Sequence, residues 1–273
     1  MLYLLPTPIG NLSDISLRAL ELLKACDTII CEDSRVCKHL IQALNSKFNA
    51  DIKVKDFRIL HSHNEDKFFS SIEVNFFDKT VLYLSDAGMP CVSDPGAALV
   101  SFAIKNNIAY EVLPGANAAL TAYCASGFLD KEFSFFAFLS NKGKERECEI
   151  QKLMKHPFIS IVYEAPTRVL SLLQSIVSID EDREIFVAKE LSKKFEKKFK
   201  GKAKQVLHLL ENENIKGEFV LVISPCKQEK QGSISKEDIL SLDIALKDKS
   251  KLLAKLLAKN PKEIYNKLLL SQN

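Results

Sequence analysis

Short apolar runs recur along the first half of the chain. Each is followed by a polar loop and then by a stretch with helical spacing. Leu2–Leu5 reads as a buried strand that stops at Pro6-Thr7-Pro8, where the proline rings cannot donate to a ladder. Asp14 is placed to cap a helix in which Ile15, Ala19, Leu22 and Leu23 share a face. Thr28–Cys31 is a second strand ending in Glu32-Asp33, and Val36, Leu40, Ile41 and Leu44 mark the helix after it. Phe57–Leu60, Thr80–Leu84 and Tyr110–Leu113 repeat the pattern, the last leading through Pro114-Gly115-Ala116-Asn117 into the helix AALTAYCAS. This alternation predicts a parallel α/β sheet covered on both faces.

Gly127 marks a boundary. After it, FSFFAFL, FISIVYEA, REIFVAKE, KKFEKKFKGKA and GEFVLVIS read as strands, with helices among them that include a charged one over 142–155. The fold class is α/β: a parallel-sheet domain over 1–126 and a second domain with a mixed sheet over 127–226. Residues 227–273 read as a polar linker and a basic helical tail, broken at Asn260-Pro261.

Composition narrows the class. The chain has 273 residues, 47% of them hydrophobic, so a packed core is expected. A net charge of +3 is compatible with a nucleic-acid partner without arguing for one. The seven cysteines are odd in number and include no C-x-x-C, which favours reduced thiols over a disulfide framework or zinc site. MLYLLPTPIGN lacks a basic n-region and a long apolar run, so neither a signal peptide nor a membrane span is expected, and the protein is expected in the cytoplasm.

In an open α/β sheet, ligands sit beyond the carboxyl ends of the strands. The unusual loops of this sequence all follow strands: Thr7–Asn11, Glu32–Arg35, His63–Glu65, the run SDAGMPCVSDPG, and Pro114–Asn117. There is no G-x-x-x-x-G-K-[ST], no G-x-G-x-x-G after the first strand and no G-x-S-x-G, so P-loop, dinucleotide and hydrolase readings lack support. His61-x-His63 has no matching cysteine or carboxylate spacing for a metal. Asp94, before Pro95-Gly96, suits a helix N-cap. Lys193, Lys194, Lys197, Lys198, Lys200, Lys202 and Lys204 interleave with Phe195 and Phe199, a pattern that fits either RNA binding or a lysine-protected strand edge.

PTPIGN, CEDSR, HSHNE, SDAGMPCVSDPG, PGANAALTA, YEAPTR, AKELSKKFE and KGEFVLVI occur in the order and spacing of the bacterial ribosomal small-subunit RNA 2′-O-ribose methyltransferases. These belong to the tetrapyrrole methylase superfamily, and the chain resembles them from about Leu2 to Ser224. Ala116-Asn117, Met89 and Glu164-Ala165-Pro166-Thr167-Arg168 depart from the family's usual P-G-P-S, S-D-A-G-T-P and E-S-P-H-R.

The resemblance implies a homodimer that binds S-adenosyl-L-methionine between two domains. It implies methylation of a cytidine 2′-hydroxyl in the decoding region of 16S ribosomal RNA, free or within the 30S subunit. It places cofactor binding on Pro8, Ile9, Gly10, Asp86, Gly88, Met89, Asn117, Ala118, Ala165 and Ser224. Glu32, Arg35, Glu65, Glu164, Arg168, Lys189 and Glu190 are the candidate catalytic residues, with the choice of general base left open. Two alternatives stand beside this: a small-molecule tetrapyrrole methylase, and a non-catalytic RNA-binding assembly factor.

Overall fold

In the computed structural model, which describes residues 1–54, 56–226, 236–257 and 259–270, the chain divides into two compact units, Met1–Cys226 and Lys227–Asn273. The first unit holds two sheets. One is parallel and consists of β1 (Leu2–Leu5), β2 (Thr28–Cys31), β3 (Asp56–Ile59), β4 (Val81–Leu84) and β5 (Tyr110–Val112), in the order β3-β2-β4-β1-β5. Helices α1 (Leu17–Ala25), α2 (Ser34–Phe48), α3 (Glu65–Ser71) and α4 (Gly96–Lys105) connect these strands.

Burial explains the uninterrupted apolar runs. Every residue of β2 and β4 is buried, because helices cover both faces of the sheet. Leu5, Ile29, Cys31, Leu82 and Leu84 pack to one side, and Leu2, Leu4, Ile30 and Tyr83 to the other. The cap of α1 is Ser16, whose Oγ accepts the Ala19 N–H at 3.0 Å. Asp14, expected in that role, sits instead in a short 3₁₀ turn over Leu12–Asp14 and accepts a hydrogen bond from Ser192.

After α5 (Ala118–Ser126), the second sheet is mixed, as the pattern predicts. It contains β6 (Phe133–Phe138), β7 (Ile159–Glu164), β8 (Glu184–Lys189), β9 (Lys197–Lys202) and β10 (Phe219–Ile223), in the order β6-β7-β10-β8-β9. β6 and β7 are parallel; the other pairings are antiparallel. Helices α6 (Gly143–Met154), α7 (Val169–Ile179) and α8 (Ala203–Glu211) cover one face through Leu153, Leu173 and Val206. Ala119 and Ala122 of α5 pack on the other face against Ile161, Phe186 and Val222. Gly127 ends α5 in the left-handed conformation, φ +65°.

The second unit contains α9 (Lys236–Ser241), α10 (Leu246–Leu257) and α11 (Pro261–Leu270), joined by a small core of Ile239, Leu253 and Ile264. The break at Asn260-Pro261 falls where expected. Of the segment read as a linker, 227–235 lies outside the described residues, and Lys236 already begins α9. No helix of the described residues is long and apolar enough to cross a membrane.

Candidate active site

The loops at the carboxyl edge of the parallel sheet are tied to one another by backbone. Thr7 and Gly88 exchange both N–H···O bonds at 3.0 Å, and Ser85 Oγ donates to the Gly88 carbonyl at 2.9 Å. Gly88 has φ +83°, a conformation that favours glycine, and a Cβ there would press on Ile9 Cγ2 at 3.1 Å. Gly10 serves a different close approach: a Cβ would lie 2.5 Å from Lys193 Cγ and 2.8 Å from the Leu191 carbonyl.

A cavity of about 490 Å³ opens against these loops, within the range of small-molecule sites. Ile9, Glu32, Asp86, Gly88, Met89 and Asn117–Ala118 line one side. Phe138, Tyr163–Pro166 and Glu218–Val220 line the other. Thus Ile9, Asp86, Gly88, Met89, Asn117, Ala118 and Ala165, expected from the sequence, come together. Pro8, Gly10 and Ser224 do not line the cavity. Ser224 falls at the far end because β10 is antiparallel: its first residue, Phe219, pairs with Glu164 and Lys189 at the cavity edge, while the Ser224 N–H bonds Glu184 at the opposite edge.

The walls are rich in carboxylates, and their surroundings raise two of them above the ordinary carboxylate range. Burial, then the neighbouring Asp86 and Asp94, push the Glu32 carboxyl up to about 7, partly offset by the Asp86 backbone N–H. Burial also raises Asp86, against the pull of the Asp33 backbone. The two acids of SDAGMPCVSDPG therefore differ in role. Asp94 Oδ1 accepts from Tyr83 Oη at 2.8 Å, the Cys91 N–H at 3.0 Å and the Gly96 N–H at 2.7 Å. It is not the N-cap of α4, a position held by Pro95, but it fixes the first helical N–H and the loop before it.

The seven catalytic candidates separate. Glu32 and Glu164 line the cavity. Glu164 is fully engaged: Arg146 Nη2 and Arg168 Nε each bond it at 2.7 Å, and the Ala165 N–H does so at 2.8 Å. Arg168 reaches the site only through that carboxylate. Glu190 is likewise one step removed, its Oε1 accepting the Glu218 N–H and the Lys193 ammonium, each at 2.9 Å. Lys189 is buried and donates to the Asn214 carbonyl. Arg35 points to solvent and pairs with Asp33 at 2.6 Å, and Glu65 lies in the first turn of α3, outside the cavity.

Sequence reasoning missed Phe138, Tyr163, Glu218 and Arg146. Phe138 faces the cavity because β6 shifts register between Phe135 and Phe138, with Ala137 at φ +52°, and FSFFAFL carries no sign of that bulge. The Tyr163 hydroxyl accepts the Ala119 N–H at 3.1 Å, fixing the start of α5 at the cavity.

Residues 1–207 match the family model of Tetrapyrrole (Corrin/Porphyrin) Methylases. The chain belongs to the tetrapyrrole methylase family. It is 51% identical to "Ribosomal RNA small subunit methyltransferase I" of Campylobacter fetus subsp. fetus, over 98% of this chain and 100% of that one. It is 42% identical to the protein of the same name from Helicobacter pylori strain J99, over 100% and 98%. The fold of this methyltransferase is similar to that of uroporphyrin-III C-methyl transferase from Thermus thermophilus. That likeness has a TM-score of 0.57 at 14% identity, covering 81% of this chain and 96% of the other. A second structure of that enzyme, complexed with S-adenyl homocysteine, aligns at TM-score 0.56 and 15% identity, over 81% and 96%.

Proposed function

We propose that this methyltransferase transfers a methyl group from S-adenosylmethionine to the 2′-hydroxyl of a cytidine in the decoding region of small-subunit (16S) ribosomal RNA. On this reading it acts in the cytoplasm as a homodimer, with the assembled 30S subunit as one candidate substrate. The names of its relatives support the RNA, and the cavity suits the donor. Glu32, Asp86 and Asp94 stand together in its lining, acidic groups that a ligand carrying a sulfonium and an ammonium would complement. Asp86 and Asn117 would meet its polar groups, and Ile9, Met89 and Ala165 its apolar surface.

Bound there, the donor supplies an electrophilic methyl on a good leaving group. What remains for the protein is to orient the acceptor and take its proton. The observation that carries the reading is Glu32: of the seven candidate catalytic residues, only it and Glu164 reach the cavity, and Glu164 is held by two arginines. A carboxylate with a proton affinity near neutrality is suited to accept the hydroxyl proton as the new C–O bond forms.

The test is incubation with labelled S-adenosylmethionine and either small ribosomal subunits or uroporphyrinogen III, followed by nuclease digestion and mass spectrometry of the RNA. The reading expects 2′-O-methylcytidine. Label in the porphyrinogen alone would replace it with the tetrapyrrole reading, and label in neither would favour a non-catalytic factor.

A further inference from the structure

The basic run 193–204 is not a uniform cationic strip. Lys193 pairs with Glu190 and Glu218, Lys197 with Glu213, Lys198 with Glu196, Lys202 with Asp182 and Lys204 with Glu181. No ion pair among the described residues takes Lys194 or Lys200, and each of these ammonium groups lies over an aromatic ring. Most of the run is thus the lysine-protected edge strand β9. The two phenylalanines separate as well. Phe199 packs against the core of the second sheet, whereas Phe195 is 71% exposed, with Lys194 Nζ 5.6 Å from its ring centre.

The position of Phe195 is unusual for such exposure. It lies on the turn from β8 to β9, at the sheet end where Lys189 pairs with Phe219 of the cavity wall. Its turn is built to hold shape. The Ser192 N–H bonds Glu196 Oε2 at 2.6 Å, the Glu196 N–H bonds the Lys193 carbonyl at 3.2 Å, and the Lys193 N–H bonds the Glu190 carbonyl at 3.0 Å. The Asn11 N–H reaches Ser192 Oγ at 3.3 Å, and Lys193 reaches Glu218 of the cavity at 3.0 Å. A fixed turn beside the cavity therefore presents an apolar ring with an unpaired cation over it.

That combination matches an unpaired RNA nucleotide, whose base stacks on an aromatic face while its phosphate meets an ammonium group. We infer that Phe195 and Lys194 form a stacking platform for a nucleotide of the RNA substrate next to the one being methylated. The inference rests on the proposed RNA methylation and names a specificity-determining residue for it. An exposed ring contributes little to the fold, so replacing it should leave the denaturation midpoint nearly unchanged.

The experiment measures kcat/KM on small ribosomal subunits for the unaltered protein and for Phe195→Ala, Phe195→Leu and Phe195→Trp, with S-adenosylhomocysteine affinity and sedimentation measured in parallel. Phe195→Ala is expected to lose about 5- to 150-fold in kcat/KM. Tryptophan restores it, leucine does not, and nucleoside affinity and oligomeric state stay unchanged. Full activity of Phe195→Ala or Phe195→Leu overturns the inference while leaving the RNA reading intact. A changed oligomeric state in Phe195→Ala overturns it in favour of a contact between copies of the chain. An unaltered protein that does not methylate the subunits overturns both.

Discussion

The phenol of Tyr83 donates to Asp94 Oδ1 at 2.8 Å, from a side chain with no exposure to solvent. The same oxygen holds the Cys91 and Gly96 N–H groups, so Asp94 anchors the loop that presents Asp86 to the cavity. Asp94→Ala leaves a buried hydroxyl and two amides without their acceptor and is expected to cost about 2–3 kcal/mol. Asp86→Asn, by contrast, should leave stability nearly unchanged and weaken S-adenosylhomocysteine binding about tenfold or more. Urea denaturation and calorimetry on the two variants separate anchor from ligand contact.

Arg146, Glu164 and Arg168 form a buried charge cluster behind the Ala165 side of the cavity. The Glu164 side chain is fully buried and that of Arg146 only 10% exposed. Arg146→Met removes one partner and leaves the charge, with an expected loss of about 3–5 kcal/mol in chemical denaturation.

Residues 227–273 carry ten lysines against six carboxylates, net +4. That leaves 28 of the 38 basic and 29 of the 35 acidic residues in 1–226, net −1. A polyanionic substrate is therefore expected to be drawn more to the tail than to the rest of the chain. A chain ending at Cys226 is expected to bind small-subunit RNA more weakly and with a shallower salt dependence, while its nucleoside affinity is kept. Equal RNA affinity across a salt series would remove the tail from this role.

Much of this was legible in the sequence. The strand–loop–helix alternation located the parallel sheet. What was not legible depended on strand direction and on partners distant in sequence. Ser224 lies away from the cavity because β10 runs antiparallel, which the apolar pattern of GEFVLVIS does not reveal. Arg146, on a charged helix, gave no sign that it would be buried against Glu164, a residue 18 positions away. Arg35 and Lys189 had the right chemistry at strand ends, but one meets solvent and the other a backbone carbonyl.

The raised Glu32 carboxyl also predicts how stability depends on pH. Its ordinary value is 4.5, and in the fold it stands at about 7. Between these pH values the folded chain binds more protons at this site than the unfolded chain. The stability it contributes is therefore complete below 4.5 and lost as pH rises through 7. Glu32→Gln is expected to be more stable than the unaltered protein at pH 8, by on the order of 1 kcal/mol after solvent screening, with a smaller difference at pH 4.

The most direct test is kcat/KM as a function of pH, with the product read as methylated nucleoside, for the unaltered protein and Glu32→Gln acting on small ribosomal subunits. Glu32 as general base requires a wild-type kcat/KM that rises with an inflection near pH 7, and a Glu32→Gln value lower by roughly 10²–10⁴-fold without that inflection. A folded Glu32→Gln protein that turns over at the wild-type rate with the same pH dependence would contradict it.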